Sequence, residues 1–307
     1  MSKINKERLN PGWIVLIIFL VLVDFALLIR YLVHGKNVAL FNPKGLIAHE
    51  QLSLMVFTVT VLLAIAVPTL FILFFTAWKY RESNAKATYA PGARHSKLLD
   101  LSMWLIPTAF MLVLAIVMWS ATHRLIPQQT IAADAKPLRI QVVSMRWKWL
   151  FIYPDHNIAT VNFVQVPLNT PVQFELTADE APMSSFWIPN LGGQLYSMTG
   201  HVNRLNLLAD TPGDYPGSSA EINGAGFSGM KFTARASSME DFDRWVQEVK
   251  QSPDVLDTAT YESVLKPSEN NPTAFYSAFE PSLYENVLMK YAGSHDHQPA
   301  THEGGEH

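Results

Sequence analysis

Residues 51–78 read QLSLMVFTVTVLLAIAVPTLFILFFTAW, without one charged side chain. A helix needs about 20 apolar residues to span the hydrocarbon core of a bilayer. A core helix of that length in a soluble protein keeps a polar stripe for solvent, and this run has none. Residues 101–122, LSMWLIPTAFMLVLAIVMWSAT, repeat the pattern. Pro68 and Pro107 fit inside membrane helices where neighbours satisfy the freed carbonyls. Both runs read as membrane-spanning.

Working outward, the connecting stretch 79–97 is KYRESNAKATYAPGARHSK. It sets Lys79, Arg81, Lys86, Arg94 and Lys97 against a single Glu82. Such an excess marks the cytoplasmic side. Upstream, Pro11–Val33 is a third apolar segment, interrupted by Asp24 and bracketed by Lys3, Lys6, Arg8 and Arg30. A signal peptide has an apolar region of about 7–15 residues followed by a small-x-small cleavage site. Here the stretch is longer and no clean triplet follows, which favours a retained helix over a cleaved leader. Asp24 then needs a polar partner, Arg30 or another subunit. Three crossings put the N-terminus inside and everything from about Arg124 to His307 outside, in the periplasm of a bacterial cell.

The whole chain has 307 residues, 49% hydrophobic and 16% charged, too apolar for disorder. Lys+Arg is 23 against 26 Asp+Glu, a net charge of −3, which gives no basic face for nucleic acid. Cysteine is absent. That excludes disulfides, a lipoprotein anchor, thiolate–metal sites, iron–sulfur clusters and cysteine nucleophiles.

The exterior part reads as β. Compact or alternating apolar runs stand at 138–145, 146–153, 160–167, 171–178, 204–210 and 229–236, separated by NTP, PNLGG, DTPGDYPGS and NGAG. Short strands at this spacing predict a sandwich or barrel. After Ser238, Phe242, Trp245, Val246 and Val249 recur at helical spacing. Tyr261, Phe275, Tyr276, Phe279, Tyr284 and Tyr291 follow, suited to packing on the sandwich or a partner. The tail 293–307, GSHDHQPATHEGGEH, reads as solvated. Its His295, His297, His302 and His307 are at most a weak metal-binding pattern.

Three strings, VVSMRWKWLFIYP (142–154), SFWIPNLGGQLYSMTG (185–200) and GSSAEINGAGFSGMKF (217–232), resemble subunit II of the heme–copper respiratory oxidases, in the cytochrome bo-type ubiquinol oxidase branch. The resemblance runs from about Phe41 to Tyr291. It implies a membrane α-helical anchor of two or three transmembrane helices, plus an all-β, cupredoxin-like Greek-key sandwich with a C-terminal helical, aromatic-rich extension. The expected divisions are 1–40, an N-terminal signal or retained segment; 41–124, the helical hairpin; 125–237, the periplasmic cupredoxin-like domain; 238–291, the aromatic-rich segment; and 292–307, a disordered tail.

The copper-bearing branch of that family holds a dinuclear centre on two thiolates, two imidazoles, a Met and a backbone carbonyl. Matched onto this sequence, the imidazoles fall on Ser184 and Phe227 and the thiolates on Ser219 and Asn223, while Glu221 and Met230 remain. Hydroxyl and amide groups do not replace soft thiolates for copper, so no metal is expected in this chain and cytochrome c is not its electron donor. The resemblance places heme b, heme o (or a), a mononuclear copper and ubiquinone in subunit I, with subunits III and IV and membrane lipid as further partners. Trp147 and Trp149 match aromatic positions of electron entry, a role left without an acceptor, so they read as packing or interface residues. Asp100, in HSKLLDLSMW (95–104), matches a family Glu at the mouth of a proton-uptake path into subunit I. The plainer reading is a carboxylate favoured at a helix N-terminus; His95 and Lys97 beside it read as loop charge.

Two other chemistries find no context. GGQLYSMTG and GSSAEINGAG lack the strand–loop–helix setting of a phosphate cradle, and Ser184, Ser185 and His201 lack a nucleophile elbow. The alternative to an oxidase subunit is a membrane-anchored periplasmic binding module. Against it, a mere anchor needs one crossing, and Met103, Trp104 and Trp119 suit packing on other helices.

Overall fold

The computed structural model describes residues 24, 27, 28, 31, 38–86, 96–131 and 135–292. The chain divides into two compact units, 1–42 and 43–307. In the first, Asp24, Leu27, Leu28 and Tyr31 are helical and residues 39–41 form a 3-10 turn. Lys3, Lys6, Arg8, Arg30, Arg94, His95 and the four tail histidines lie outside the described residues.

The second unit opens with α1 (Leu46–Lys79, 34 residues) and α2 (Lys97–Arg124, 28 residues). At 1.5 Å per residue they are about 51 and 42 Å long, longer than the roughly 30 Å hydrocarbon core. The residue after each proline bonds back into the helix. Thr69 Oγ1 donates to Ile65 O at 2.8 Å and Thr108 Oγ1 to Trp104 O at 2.7 Å. The apolar side chains point outward, with Phe71 68%, Trp104 78% and Trp119 72% exposed. A continuous apolar surface of that size needs lipid or other helices around it.

The remainder is a sandwich. Its strands are β1 (Leu138–Met145), β2 (Lys148–Tyr153), β3 (Ile158–Val161), β4 (Phe163–Pro167), β5 (Val172–Ala178), β6 (Ser184–Trp187), β7 (Leu195–Ser197), β8 (Asn203–Leu207), β9 (Gly213–Ser219), β10 (Lys231–Ser237) and β11 (Ala274–Tyr276). One sheet runs β11-β3-β2-β1-β5-β8, the other β4-β10-β9-β6-β7. The pairs β1–β5 and β4–β10 are parallel. Helices α3 (Met239–Val249), α4 (Thr258–Leu265) and α5 (Leu283–Ala292) follow.

The strand expectation at 160–167 is corrected. Asn162 has φ +55° and divides the run, so β3 lies in one sheet and β4 in the other. The crossing is held by side-chain bonds. Trp149 N donates to Asn162 Oδ1 at 2.9 Å, and Asn162 Nδ2 donates to Asn271 O at 3.0 Å. Asparagine is among the few residues at ease in the left-handed region. The run 146–153 is shortened: Met145 pairs with Lys148, so Arg146 and Trp147 form the hairpin turn, with Trp147 at φ +66°. Strands β6, β7, β9 and β11 were not expected. They are three to seven residues long, and β9 carries Gly213, Pro216 and Gly217, which read as turn residues.

β2 is buried along its whole length because both faces of its sheet are covered. Trp149, Phe151 and Tyr153 face the inter-sheet core with Phe174, Phe186 and Phe232. Leu150 and Ile152, with Val143 and Met145, face a second core built with Tyr261, Tyr276, Phe279 and Tyr284 of the C-terminal segment. That segment is therefore the outer cover of the sheet. Lys148 is 3% exposed and fastens it, its Nζ donating to Val264 O (2.6 Å), Lys266 O (2.9 Å) and Ser268 Oγ (2.6 Å) at the end of α4. A cation on the last carbonyls of a helix also satisfies its dipole.

The cover is alkali-sensitive. Burial pushes the phenols of Tyr261, Tyr276, Tyr284 and Tyr291 up, with the Asp179 carboxylate adding to the rise at Tyr261. Burial pulls Lys290 down, but hydrogen bonds to Glu180 and Asp179 outweigh it and hold its ammonium above the usual lysine range. A raised folded-state pKa gives stability that is complete below the unfolded value and lost as pH climbs through the folded one. Docking should therefore be pH-independent on these groups near neutrality and weaken above about pH 10. Limited proteolysis between α3 and α5 against pH, beside the tyrosinate absorbance of the full chain, measures it; a cover that frees itself below pH 9–10 contradicts this account.

Candidate functional site

The residues matched to the family's metal positions converge at one end of the sandwich. β6 brings Ser184, and its pairing of Phe186 with Ser219 brings the end of β9 alongside. The loop 220–226 follows, a 3-10 turn spans Phe227–Gly229, and Met230 precedes β10. Ser184, Ser219, Asn223 and Met230 are 0%, 3%, 7% and 0% exposed, while Glu221 and Phe227 are half-buried.

These side chains bond one another. Asn223 Nδ2 donates to Ser184 Oγ at 2.7 Å and to Met230 Sδ at 3.1 Å. Ser219 Oγ donates to Glu221 O at 2.9 Å and accepts from Ser185 N at 3.3 Å. Ser197 Oγ, from β7, donates to Ser184 O at 3.1 Å and accepts from Ser144 Oγ at 2.7 Å. Tyr196, on the same strand, hydrogen-bonds Glu221, which raises its phenol. The one sulfur receives an N–H donor, and the other groups are hydroxyls, an amide, one carboxylate and a phenyl ring. That donor set does not fit a dinuclear copper centre, which needs thiolates and imidazoles. Among the described residues no three His, Cys, Asp or Glu side chains are grouped to hold a metal ion.

Trp147 and Trp149 differ despite their spacing. Trp149 is fully buried, edge-on to Phe186 (5.3 Å, 74°) and Phe232 (5.8 Å, 65°). Trp147, in the turn, is half-buried and covers Gly224 and Gly226, where a Cβ on Gly226 would run into its ring. Its Nε1 is buried without a hydrogen-bond partner, as are Glu221 Oε2 and Asn223 Oδ1. Orphaned buried polar atoms are uncommon, and these three, with Trp149 Nε1, belong to the matched residues.

Asp100 is far from this group in sequence and architecture, in the first turn of α2. Ser96 caps that helix, its Oγ accepting from Leu99 N at 3.4 Å. Asp100 is exposed and has no ion-pair partner among the described residues.

One cluster went unread in the sequence. Asp179, 1% exposed, accepts from Tyr261 Oη (2.6 Å), Tyr291 Oη (2.7 Å) and Lys290 Nζ (2.9 Å). Lys290 also reaches Glu180 Oε1 at 2.7 Å. The partners lie 82 to 112 residues downstream, and no local pattern announces them.

Residues 153–237 match the family described as Cytochrome C oxidase subunit II, periplasmic domain, and residues 250–295 match the COX Aromatic Rich Motif. The cytochrome bo(3) ubiquinol oxidase subunit 2 of Pseudomonas putida is 46% identical over 274 residues, covering 89% of this chain and 87% of that protein. The protein of the same name from Pseudomonas aeruginosa is 41% identical over 276 residues, covering 90% and 82%. The ubiquinol oxidase subunit 2 of Acetobacter aceti is 40% identical over 262 residues, covering 85% of each. With likeness at that level along most of both chains, over helices, sandwich and aromatic segment together, this chain belongs to the subunit II family of the heme–copper ubiquinol oxidases.

Proposed function

We propose that the chain is a metal-free, non-catalytic subunit II of a proton-pumping ubiquinol oxidase of a bacterial inner membrane, its β-domain in the periplasm. The complex carries out 2 quinol + O₂ → 2 quinone + 2 H₂O, with protons moved outward. The observation that carries this reading is the hydrogen-bonded set Ser184–Asn223–Met230, with Ser219 beside it, at positions where an electron-accepting branch needs copper ligands. Without a metal there, electrons from cytochrome c have no entry, and a quinol within the membrane reaches the hemes and mononuclear copper of subunit I. Residues 41–124 then anchor the chain, 125–237 cap the exterior face of subunit I, and 238–291 brace the cap. Subunits III and IV complete the assembly.

The test is oxygen uptake by the complex purified through a tag on this chain. Heme should co-purify, with uptake on a quinol and none on reduced cytochrome c. Copper at two ions per chain in the isolated subunit, or uptake on cytochrome c, would refute the reading.

In the same reading Asp100 receives protons at the cytoplasmic mouth of a path into subunit I. Its exposure, and the lack of an ion-pair partner among the described residues, support the role. Asp100→Asn should slow turnover on the order of tenfold, about 1.4 kcal/mol of barrier, with heme content unchanged and Asp100→Glu largely restoring it. Equal turnover in Asp100→Asn and wild type leaves the carboxylate only its place at a helix N-terminus.

A further inference from the structure

Where the outer ends of α1 and α2 meet the sandwich there is a cavity of about 300 Å³. Aliphatic side chains line it, Ile47 from α1, Leu125 and Ile131 from the segment after α2, and Leu205 from β8, together with uncharged polar ones such as Gln51 and Asn206. Two opposite charges share the wall, Glu50 of α1 and Arg124, the last residue of α2. Among the described residues neither side chain has an ion pair or hydrogen bond, with the other or with anything else. A carboxylate and a guanidinium on one small cavity would ordinarily neutralise each other; among the described residues these two do not, and each is open to a ligand of opposite charge.

We propose that this cavity binds the headgroup of a zwitterionic phospholipid with a primary ammonium, a phosphatidylethanolamine. The guanidinium takes the phosphate, a geometry that suits bidentate bonding, and the Glu50 carboxylate takes the ammonium. The position argues for a lipid over a soluble zwitterion. With α1 and α2 crossing the membrane as proposed above, the cavity at their ends lies in the headgroup plane, and α2 ends in Trp119, His123 and Arg124, an aromatic and basic close suited to that boundary. Below it the helix flanks are exposed and apolar, Val56 at 55% and Ile116 at 70%, a surface for acyl chains. The wall also sorts headgroups. A quaternary ammonium has no N–H to donate and is held by aromatic faces, and no aromatic residue lines the cavity. An anionic headgroup meets one cation and one carboxylate, with no net attraction. Bound there, the lipid links both helices to β8, and the copper-free reading plays no part in this inference.

The test uses the assembled oxidase, delipidated in mild detergent and titrated with short-chain phosphatidylethanolamine, phosphatidylcholine and phosphatidylglycerol, with bound lipid counted by native mass spectrometry. Glycerophosphoethanolamine, the headgroup without chains, forms a further arm. The wild-type complex should hold one phosphatidylethanolamine at least about tenfold more tightly than the other two lipids, a step of about 1.4 kcal/mol, and should not retain the bare headgroup. Arg124→Gln should lose that lipid. Glu50→Gln should bind phosphatidylethanolamine and phosphatidylcholine alike. Equal retention in wild type and both variants, equal binding of the three lipids, or tight binding of the bare headgroup overturns the proposal. The wild-type ranking decides the matter should a variant fail to assemble.

Discussion

Asp179→Ala should detach the C-terminal cover from the sandwich. The substitution removes the acceptor for two tyrosine hydroxyls and a lysine at once. Lys290 is 41% exposed and keeps Glu180, so it turns to water at little cost. Tyr261 has no such exit: it is 6% exposed, and a buried donor left unpaired costs about 1–3 kcal/mol. With the Tyr291 bond, which also ties the end of α5, the loss comes to about 2–4 kcal/mol. Asp179→Asn keeps an acceptor oxygen and should lose less than half of that. Limited proteolysis of the full chain in detergent reads the result, because segment 250–292 should be cut while the strands resist. The uncovered face, with Val143, Met145, Leu150 and Ile152, should bind a hydrophobic dye. If Asp179→Ala keeps wild-type protease resistance, the cover is held by apolar packing alone.

Phe186→Ala should cost at least as much by a different route. Phe186 is fully buried and its ring meets four others: Phe232 stacked at 5.1 Å, Phe174 at 5.2 Å, Trp149 at 5.3 Å and Phe151 at 6.2 Å. Truncating a buried phenylalanine costs about 3–5 kcal/mol through lost transfer energy and the cavity left behind. In a domain of this size that lowers the melting temperature by roughly 10 °C. The consequence reaches the site, because Phe186 pairs with Ser219 and stands two residues from Ser184. Phe186→Leu fills most of the space and should lose about 1–2 kcal/mol. A melting temperature within a degree or two of wild type for Phe186→Ala would show that the two sheets do not depend on this aromatic centre.

The C-terminal segment shows where reading residues in order stops. Its aromatic richness is legible in the sequence, and such residues suit packing on the sandwich or on a partner. Which sheet face it covers is not legible there, since that depends on Val143, Met145, Leu150 and Ile152 pointing away from the inter-sheet core. The run KWLFIY does not say that both its faces are buried: a continuous apolar stretch fits a doubly covered strand or a piece of helix equally. At the site, the absence of cysteine decides against thiolate-bound copper without any coordinates. The bonds that Asn223 makes to Ser184 and Met230 needed them, because those residues are 39 and 7 positions away.

The sequence by itself determined the two apolar helices long enough to cross a membrane, the β character of the part that follows them, the helix after Ser238 and the absence of any thiolate ligand. Each of these rests on composition or short-range periodicity, which a chain carries before it folds. Only the tertiary structure decided that Asn162 turns the chain from one sheet to the other and that Asp179 gathers Tyr261, Lys290 and Tyr291. It alone set Glu50 and Arg124, 74 residues apart in number, on one cavity wall. Those facts are made by long-range pairing, and no residue's neighbours in sequence carry the energy that selects the partner.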